Sequence, residues 1–173
     1  MKLFMGLDLS LTGTGCVVLD EEGKLISHDV WGEELKRSAP VRDKIERMVY
    51  IANKIVSELK RLKRQSYYKG PNGEHPVIHV GIEGYAFGAR GAQNDLGEIQ
   101  GVVKSQIWLA SRIEPVIIVS STARKAVMGK GNYPKDKILA ELVKRGFDLR
   151  DHNEADAYVI AECLRLSTLK GAD

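Results

Sequence analysis

The sequence predicts an α/β fold, a mixed five-stranded sheet with helices on both faces. Three observations lead to this prediction. Short apolar runs broken by turns open the chain, apolar residues recur at helical spacing from Val41 onward, and two later apolar runs are each followed by a helical pattern. The chain has 173 residues, enough for one domain with a real core and too few for two ordinary domains. We therefore expect a single domain over residues 1–173.

The first three strands are predicted to form an antiparallel meander. KLFMGLDL (2–9) is a short apolar run that SLTGTG interrupts, and CVVLD (16–20) is a second run. DEEGK then forms a turn in which Gly23 can adopt a positive φ, and LISHDV (25–30) is the third strand. Short turns of this kind join neighbouring antiparallel strands.

An apolar stripe predicts one long helix that ends near Gly70. Its members recur at alternating spacings of four and three residues: Val41, Ile45, Met48, Ala52, Ile55, Leu59 and Leu62. We interpret the stripe as the face of a helix packed on the sheet, and a dimer seam is the alternative.

The rest of the chain alternates between strand and helix patterns. A strand at VIHVGIE (77–83) and a buried strand at PVIIVS (115–120) flank a helix. That helix is marked by apolar residues at Leu96, Ile99, Val103, Ile107 and Ala110. Three more helices follow: a short one over 121–128, one with Pro134 in its first turn and Gly146 past its end, and a last one from about Asn153 to Leu169.

Composition and cysteine content narrow the class of protein. No apolar run approaches the roughly 20 residues that a membrane helix needs, and MKLFMGLDLS does not resemble a signal peptide. Cys16 and Cys163 are far apart and form no CxxC pair, so neither a disulfide framework nor a zinc site is indicated. We expect a cytoplasmic protein.

Basic residues are concentrated in two segments of a chain whose net charge is only +3. Residues 54–69 carry six basic residues and one acid, and residues 120–137 carry five basic residues and one acid. The remainder of the chain is net acidic. Such a distribution could hold a polyanion and a cation together. Solvated helix faces and loops are the alternative for either segment taken alone.

Three carboxylates occupy positions that the predicted fold could bring together. Asp8 lies inside the first apolar strand, Glu83 ends the strand at 77–83, and Asp156 shares the inward face of the last helix with Ile160. A buried carboxylate is costly unless it is paired or binds a metal. Taken singly, Glu83 could end a strand in solvent and Asp156 could simply suit a helix N-terminus. Together they are hard oxygen ligands that suit Mg²⁺ or Mn²⁺.

The sequence resembles the RuvC-type Holliday-junction resolvases of the RNase H-like superfamily. The resemblance extends from Met1 to about Leu169. It depends on four motifs: GLDLSLTGTGCVVLD, IEGYAFGARGAQND, ARKAVMGKGNYPKDKI and NEADAYVIAECL. The first motif is common to the wider superfamily, and the third is more specifically RuvC-like.

The resemblance implies an Mg²⁺-dependent endodeoxyribonuclease that resolves four-way DNA junctions by paired nicks in recombination and repair. Asp8, Glu83 and Asp156 would hold two metal ions, with Mn²⁺ as a substitute for Mg²⁺. Such an ion pair, about 3.5–4 Å apart, can promote phosphodiester hydrolysis. The protein would act as a homodimer on branched DNA, and a branch-migration motor as a further partner is left open.

Basic and aromatic side chains would contact the DNA in a protein of this family. Lys135 matches the lysine that opens a helix after a G-x-G loop and would act on the scissile phosphate, with Arg124 near it. Lys125 and Lys130 belong to the same basic segment and are expected to bind DNA. An aromatic residue after the second acid contacts bases at the junction centre in the family, and here Phe87 is preferred over Tyr85.

One position departs from the family pattern. The family usually has an Asp or His three residues before the last Asp, and this chain has Asn153 there. An Asn oxygen can ligate a hard cation but adds no charge. His152, four residues before Asp156, is an equal alternative. Asp151 is expected to cap the helix, with Glu154 completing a pair like a capping box.

Three other functions remain open at this stage. An RNase H-type enzyme that cuts RNA–DNA hybrids would use the same acids, but it has no need of the basic segment 120–137. A sugar-kinase-like ATP-binding domain shares the first motif, but it needs a second domain and a second glycine-rich loop. A junction-binding protein that has lost cleavage would not need the three acids.

Overall fold

The structure is a computed structural model that describes residues 1–36, 38–65, 73–84 and 93–171. Its five strands are β1 (Lys2–Asp8), β2 (Thr14–Asp20), β3 (Leu25–Trp31), β4 (Val77–Glu83) and β5 (Val116–Ile118). Its five helices are α1 (Val41–Arg64), α2 (Gln93–Ser111), α3 (Ser120–Met128), α4 (Lys135–Lys144) and α5 (His152–Lys170). In these described parts, no helix is both long and apolar enough to cross a membrane.

The strands form one mixed sheet in the order β3-β2-β1-β4-β5. Strands β1, β2 and β3 pair antiparallel as a meander, whereas β1 pairs parallel with β4 and β4 pairs parallel with β5. In register, Leu7 of β1 lies opposite Cys16 on one side and Ile82 on the other. The predicted fold class is therefore confirmed. Since β1 and β4 are parallel neighbours, their C-terminal ends lie side by side.

The two faces of the sheet carry two separate cores, because successive side chains of a strand point to opposite faces. Leu3, Met5 and Leu7 of β1 pack in the core that α1 and α2 cover. Phe4 packs on the other face, in the core formed with α3, α4 and α5. Asp8 is in phase with Phe4, so its carboxylate belongs to the face that α5 covers.

Helix α5 lies directly on glycines of the two central strands. A Cβ atom added at Gly6 would lie 2.1 Å from the Ala157 carbonyl oxygen, and one added at Gly15 would lie 2.1 Å from the Asn153 carbonyl oxygen. Real Cβ atoms do not approach backbone this closely, so no larger residue fits at either position without a shift. The absence of two side chains thus sets how close α5 comes to the sheet.

The long helix α1 differs from its prediction at both ends. It ends at Arg64, because Gln65 adopts an extended conformation, and Gly70 lies outside the described residues. The predicted apolar stripe is buried only from Met48 onward. Val41 and Ile45 are 73% and 53% exposed, although Lys44 beside them forms an ion pair with Asp95 of α2 at 3.0 Å.

The predicted buried strand at 115–120 is a three-residue edge strand, β5. Val116 and Ile117 are exposed, since β5 has a neighbour on one side only. Ala110 at the end of the α2 stripe is likewise exposed. Pro134 is the N-cap of α4 rather than a residue of its first turn, which suits a residue that lacks an N–H group.

Replacement of Gly6 by alanine tests the close approach of α5. We expect Gly6→Ala to lower the free energy of unfolding by about 3 kcal/mol, because its methyl group collides with the α5 backbone. The matched control is Gly101→Ala in α2, where a Cβ meets nothing within 4 Å. The free energy of unfolding of this control should rise by about 0.5–1 kcal/mol, because alanine is favoured over glycine inside a helix. Urea unfolding of both variants measures the difference, and equal stabilities would contradict the packing described here.

Candidate active site

Asp8 and Glu83 meet at the C-terminal ends of β1 and β4. Both follow positions paired in the parallel ladder, Leu7 with Ile82, and their carboxyl groups are close enough for Glu83 to raise the pKa of Asp8. Asp8 is only 7% exposed, so water does little to relieve the repulsion between the pair.

Asp156 approaches the same end of the sheet from α5. It is one turn into the helix and is as buried as Asp8, and the α5 face that carries it packs against the two central strands through Gly6 and Gly15. The Asp156 Oδ2 atom lies 2.5 Å from the Lys135 Nζ atom. Lys135 is the first residue of α4, and its side chain is 56% exposed, so its ammonium group is within reach of both the carboxylate and solvent.

Burial and mutual repulsion shift the pKa values of these acids. Burial, the hydrogen bond to Glu83 and the charges of Glu83 and Asp156 raise the pKa of Asp8 well above its usual value. Burial also raises the pKa of Asp156, although the Lys135 ammonium opposes this effect. For Lys135, burial favours the neutral amine, but Asp156 and the charges of the other two acids outweigh burial and raise its pKa.

The site has more acidic groups than cationic partners. Lys135 acts electrostatically on all three carboxylates, and Arg124 of α3 adds a weaker favourable effect on Asp156. Within residues 1–36, 38–65, 73–84 and 93–171, no group of three or more His, Cys, Asp or Glu side chains is arranged as a ready metal site. The Asp8 carboxyl group lies beside that of Glu83, and Asp156 Oδ2 is directed toward Lys135 Nζ. An oxygen-only donor set with excess negative charge is chemically suited to a hard divalent cation.

Glu83 is held by two residues that the sequence reasoning missed, one bonded to its side chain and one to its backbone. The Ser120 hydroxyl, at the start of α3, donates to Glu83 Oε1, and Gln100 Nε2 of α2 donates to the Glu83 carbonyl oxygen at 2.7 Å. Gln100 is fully buried. The available signal was a polar residue next to Ile99, inside the apolar stripe of α2.

The remaining predicted residues divide by location. Lys125 and Lys130 are exposed on α3 and in the loop that follows it. His152 is exposed at the start of α5, whereas a Cβ added at Gly13 would lie 2.9 Å from Asn153 Nδ2. The Asn153 amide thus packs on the loop between β1 and β2. Tyr85 and Phe87 lie outside the described residues.

The raised pKa of Asp8 predicts how stability depends on pH. A carboxyl group whose folded pKa lies above its unfolded value stabilises the fold at acid pH, and this contribution is lost as the pH rises through the folded pKa. In EDTA we expect Asp8→Asn to be more stable than the wild type at about pH 7.5, by about 1–3 kcal/mol. The gain should shrink toward about pH 4, where wild-type Asp8 is increasingly protonated. Thermal unfolding of the wild type and Asp8→Asn between about pH 4 and about pH 7.5 measures this difference in stability.

Asp20→Asn is the matched control for this experiment. Asp20 is also a buried carboxylate, but its Oδ1 atom accepts backbone N–H groups of Glu22 and Lys24 at 3.0 and 2.8 Å. We expect this variant to lose stability at neutral pH. If Asp8→Asn also lost stability at neutral pH, the charge of Asp8 would not destabilise the folded protein.

Comparison with known proteins finds solved structures with a similar fold. No protein-family model matches the chain, and no curated protein matches it in sequence. The solved structure of Thermus thermophilus RuvC matches with a TM-score of 0.73 and 21% identity, over 98% of this chain and 96% of that one. RuvC of the same organism in complex with a Holliday junction substrate matches with a TM-score of 0.73 and 18% identity, over 99% and 97%. The chain therefore has the RNase H-like fold of RuvC.

Proposed function

We propose that the protein is a metal-dependent endodeoxyribonuclease that resolves four-way DNA junctions by paired nicks. The observation that carries the proposal is the meeting of Asp8, Glu83 and Asp156 with Lys135 at one end of the sheet. The RuvC-like fold supports it, because one matched RuvC structure holds a Holliday junction substrate.

In this proposal Asp8, Glu83 and Asp156 hold Mg²⁺, for which Mn²⁺ can substitute, and Asn153 or His152 completes the donor set. Excess negative charge and the raised pKa values of Asp8 and Asp156 support a cation at this place. Bound Mg²⁺ would supply Lewis acidity that activates water and stabilises the leaving oxygen of a phosphodiester. Ser120 and Gln100 keep the Glu83 side chain and backbone in place.

Lys135 is proposed to serve both the free protein and the complex with DNA. In the free protein its ammonium group neutralises part of the Asp156 charge at 2.5 Å. Because the side chain is more than half exposed, Lys135 can exchange Asp156 for a phosphate oxygen of the substrate. A lysine ammonium is a competent point-charge ligand for phosphate.

DNA binding is assigned to the surface next to the carboxylates. Arg124, Lys125 and Lys130 belong to α3 and the following loop, the same segment that leads to Lys135. Phosphate contacts of this kind give affinity that depends on salt and not on sequence. Phe87, or Tyr85 in its place, is proposed to contact bases at the junction centre. A two-fold homodimer would match two sites to the symmetry of the junction.

Cleavage of a synthetic four-way junction tests the proposed function. We expect symmetric nicks that require Mg²⁺, with linear duplex and an RNA–DNA hybrid left uncut. Asp8→Asn, Glu83→Gln and Asp156→Asn should each reduce the cleavage rate by at least about 1,000-fold, because each removes a charged donor from the metal site. Junction binding, measured by gel shift, should remain within a few-fold of the wild type.

Two further results bear on this experiment. Asp20→Asn changes a buried aspartate at the far end of β2 and should cleave at the wild-type rate. Preferred cutting of the hybrid would move the protein to the RNase H class. Absence of any cleavage would contradict the nuclease proposal and favour a protein that binds junctions without cutting them.

Lys135→Ala separates catalysis from binding. We expect it to lower the cleavage rate by about 10- to 100-fold, with only a small loss of junction affinity, since one phosphate contact is a small part of the total electrostatic attraction. Lys125→Ala is the comparison, because Lys125 is exposed on α3. Lys125→Ala should weaken junction binding and lower the slope of log affinity against log salt concentration by about 1. Its cleavage rate at saturating protein should equal that of the wild type. Equal losses of rate and affinity in Lys135→Ala would make Lys135 an ordinary phosphate contact.

A further inference from the structure

Glu154 is a buried carboxylate in α5 that the proposed chemistry does not use. Its side chain is 1% exposed, the lowest exposure among the acids considered above. Three donors satisfy it: the Arg150 backbone N–H at 2.6 Å, Arg150 Nη2 at 3.0 Å and His28 Nδ1 at 3.0 Å. Since an ionised carboxylate only accepts hydrogen bonds, the His28 ring carries its proton on Nδ1.

These contacts go beyond the capping role expected from the sequence. Asp151 does cap α5, because its Oδ1 atom accepts the Glu154 N–H at 2.9 Å. In a capping box the glutamate would return this bond to the backbone N–H of the capping residue. Here Glu154 bonds one residue earlier, at Arg150, and also reaches His28 on β3. The side chain therefore connects the first turn of α5 to the third strand.

This connection lies beside the residues that are proposed to hold the metal. Glu154 follows Asn153 directly and is two positions before Asp156. Gly6 and Gly15 set how closely α5 approaches β1 and β2, but contact with two flat glycine surfaces does not by itself stop the end of the helix from sliding or turning. The bonds from Glu154 to β3 and to Arg150 supply that restraint.

We propose that Glu154 is a positioning residue that, through His28 and Arg150, fixes the first turn of α5 so that Asp156 and Asn153 face the carboxylates of β1 and β4. This inference rests on the proposed function, because it assumes that Asp156 binds a metal. Residues that orient metal ligands without binding the metal themselves typically change metal affinity by about 10- to 100-fold when they are removed.

The electrostatics of Glu154 agree with a fixed, ionised side chain. Burial alone would raise its pKa, but the hydrogen bonds from Arg150 and His28 outweigh burial and lower it. A charge satisfied by three donors favours one geometry over its alternatives.

Mn²⁺ binding without DNA tests the inference, measured from the electron paramagnetic resonance signal of free Mn²⁺. We expect Glu154→Ala to bind Mn²⁺ about 10- to 100-fold more weakly than the wild type. Glu154→Gln, which keeps an accepting oxygen, should recover part of this loss. His28→Ala should weaken binding in the wild type but have little effect in the Glu154→Ala background, because the two side chains act as one unit.

The matched control is Glu162→Ala on the same helix. Glu162 is 14% exposed and accepts two bonds from Arg165 at 2.7 Å, so it is also a glutamate in a largely buried ion pair. We expect this variant to lose a similar amount of stability in thermal unfolding but to bind Mn²⁺ as the wild type does. In junction cleavage, Glu154→Ala should lower kcat and leave KM nearly unchanged.

Each outcome separates this inference from the proposed function. Equal Mn²⁺ affinity in Glu154→Ala and Glu162→Ala would overturn the positioning role, and so would a wild type that binds no Mn²⁺. A wild type that binds Mn²⁺ but cuts no junction would overturn the proposed function alone. In that case a selective loss of Mn²⁺ binding in Glu154→Ala would still support the positioning role.

Discussion

The close contact between α5 and the glycines of β1 and β2 is the constraint on which the rest of the structure depends. Backbone atoms of Ala157 and Asn153 occupy space that any larger residue at Gly6 or Gly15 would need. Packing interactions of this kind are individually weak but sensitive to distance. If α5 were displaced outward by the width of a methyl group, Asp156 would move away from Asp8 and the apolar core between α5 and the sheet would lose its close packing. The placement of an ionisable group therefore depends on residues that have no side chain.

The same closeness makes the acidic end of the sheet unfavourable for folding. Two neighbouring carboxyl groups and a third nearby share one lysine, so the site has more acidic groups than cationic partners. Uncompensated charge of this kind opposes the stability that the rest of the fold provides. The buried stretches of β1, β2 and α1 supply the compensating apolar contacts. Elsewhere Glu58, Glu154 and Glu162 each have an arginine of their own, whereas Lys135 serves three acids.

Sequence patterns were most informative where the structure is governed by local periodicity. The first four strands, the helix that carries Asp156 and the inward face of that aspartate all follow from the spacing of apolar residues. Contacts between distant segments could not be read in this way. The bond between Ser120 and Glu83 depends on the pairing of β5 with β4. The ion pair between Lys135 and Asp156 depends on the packing of α4 against α5. Exposure at the start of α1 and along β5 was also missed, because the pattern marks a side chain as apolar without saying what covers it.

The parallel pairing of β1 with β4 has a consequence for the newly made chain. Asp8 and Asp156 are separated by 148 positions in the sequence, and β1 cannot gain its parallel partner until the meander and α1 have been synthesised. Contacts between such distant segments form late, because closing the intervening loops costs entropy before the contacts are made. The three acids then come together only when nearly the whole chain has folded. A partly folded chain could not bring the three acids together.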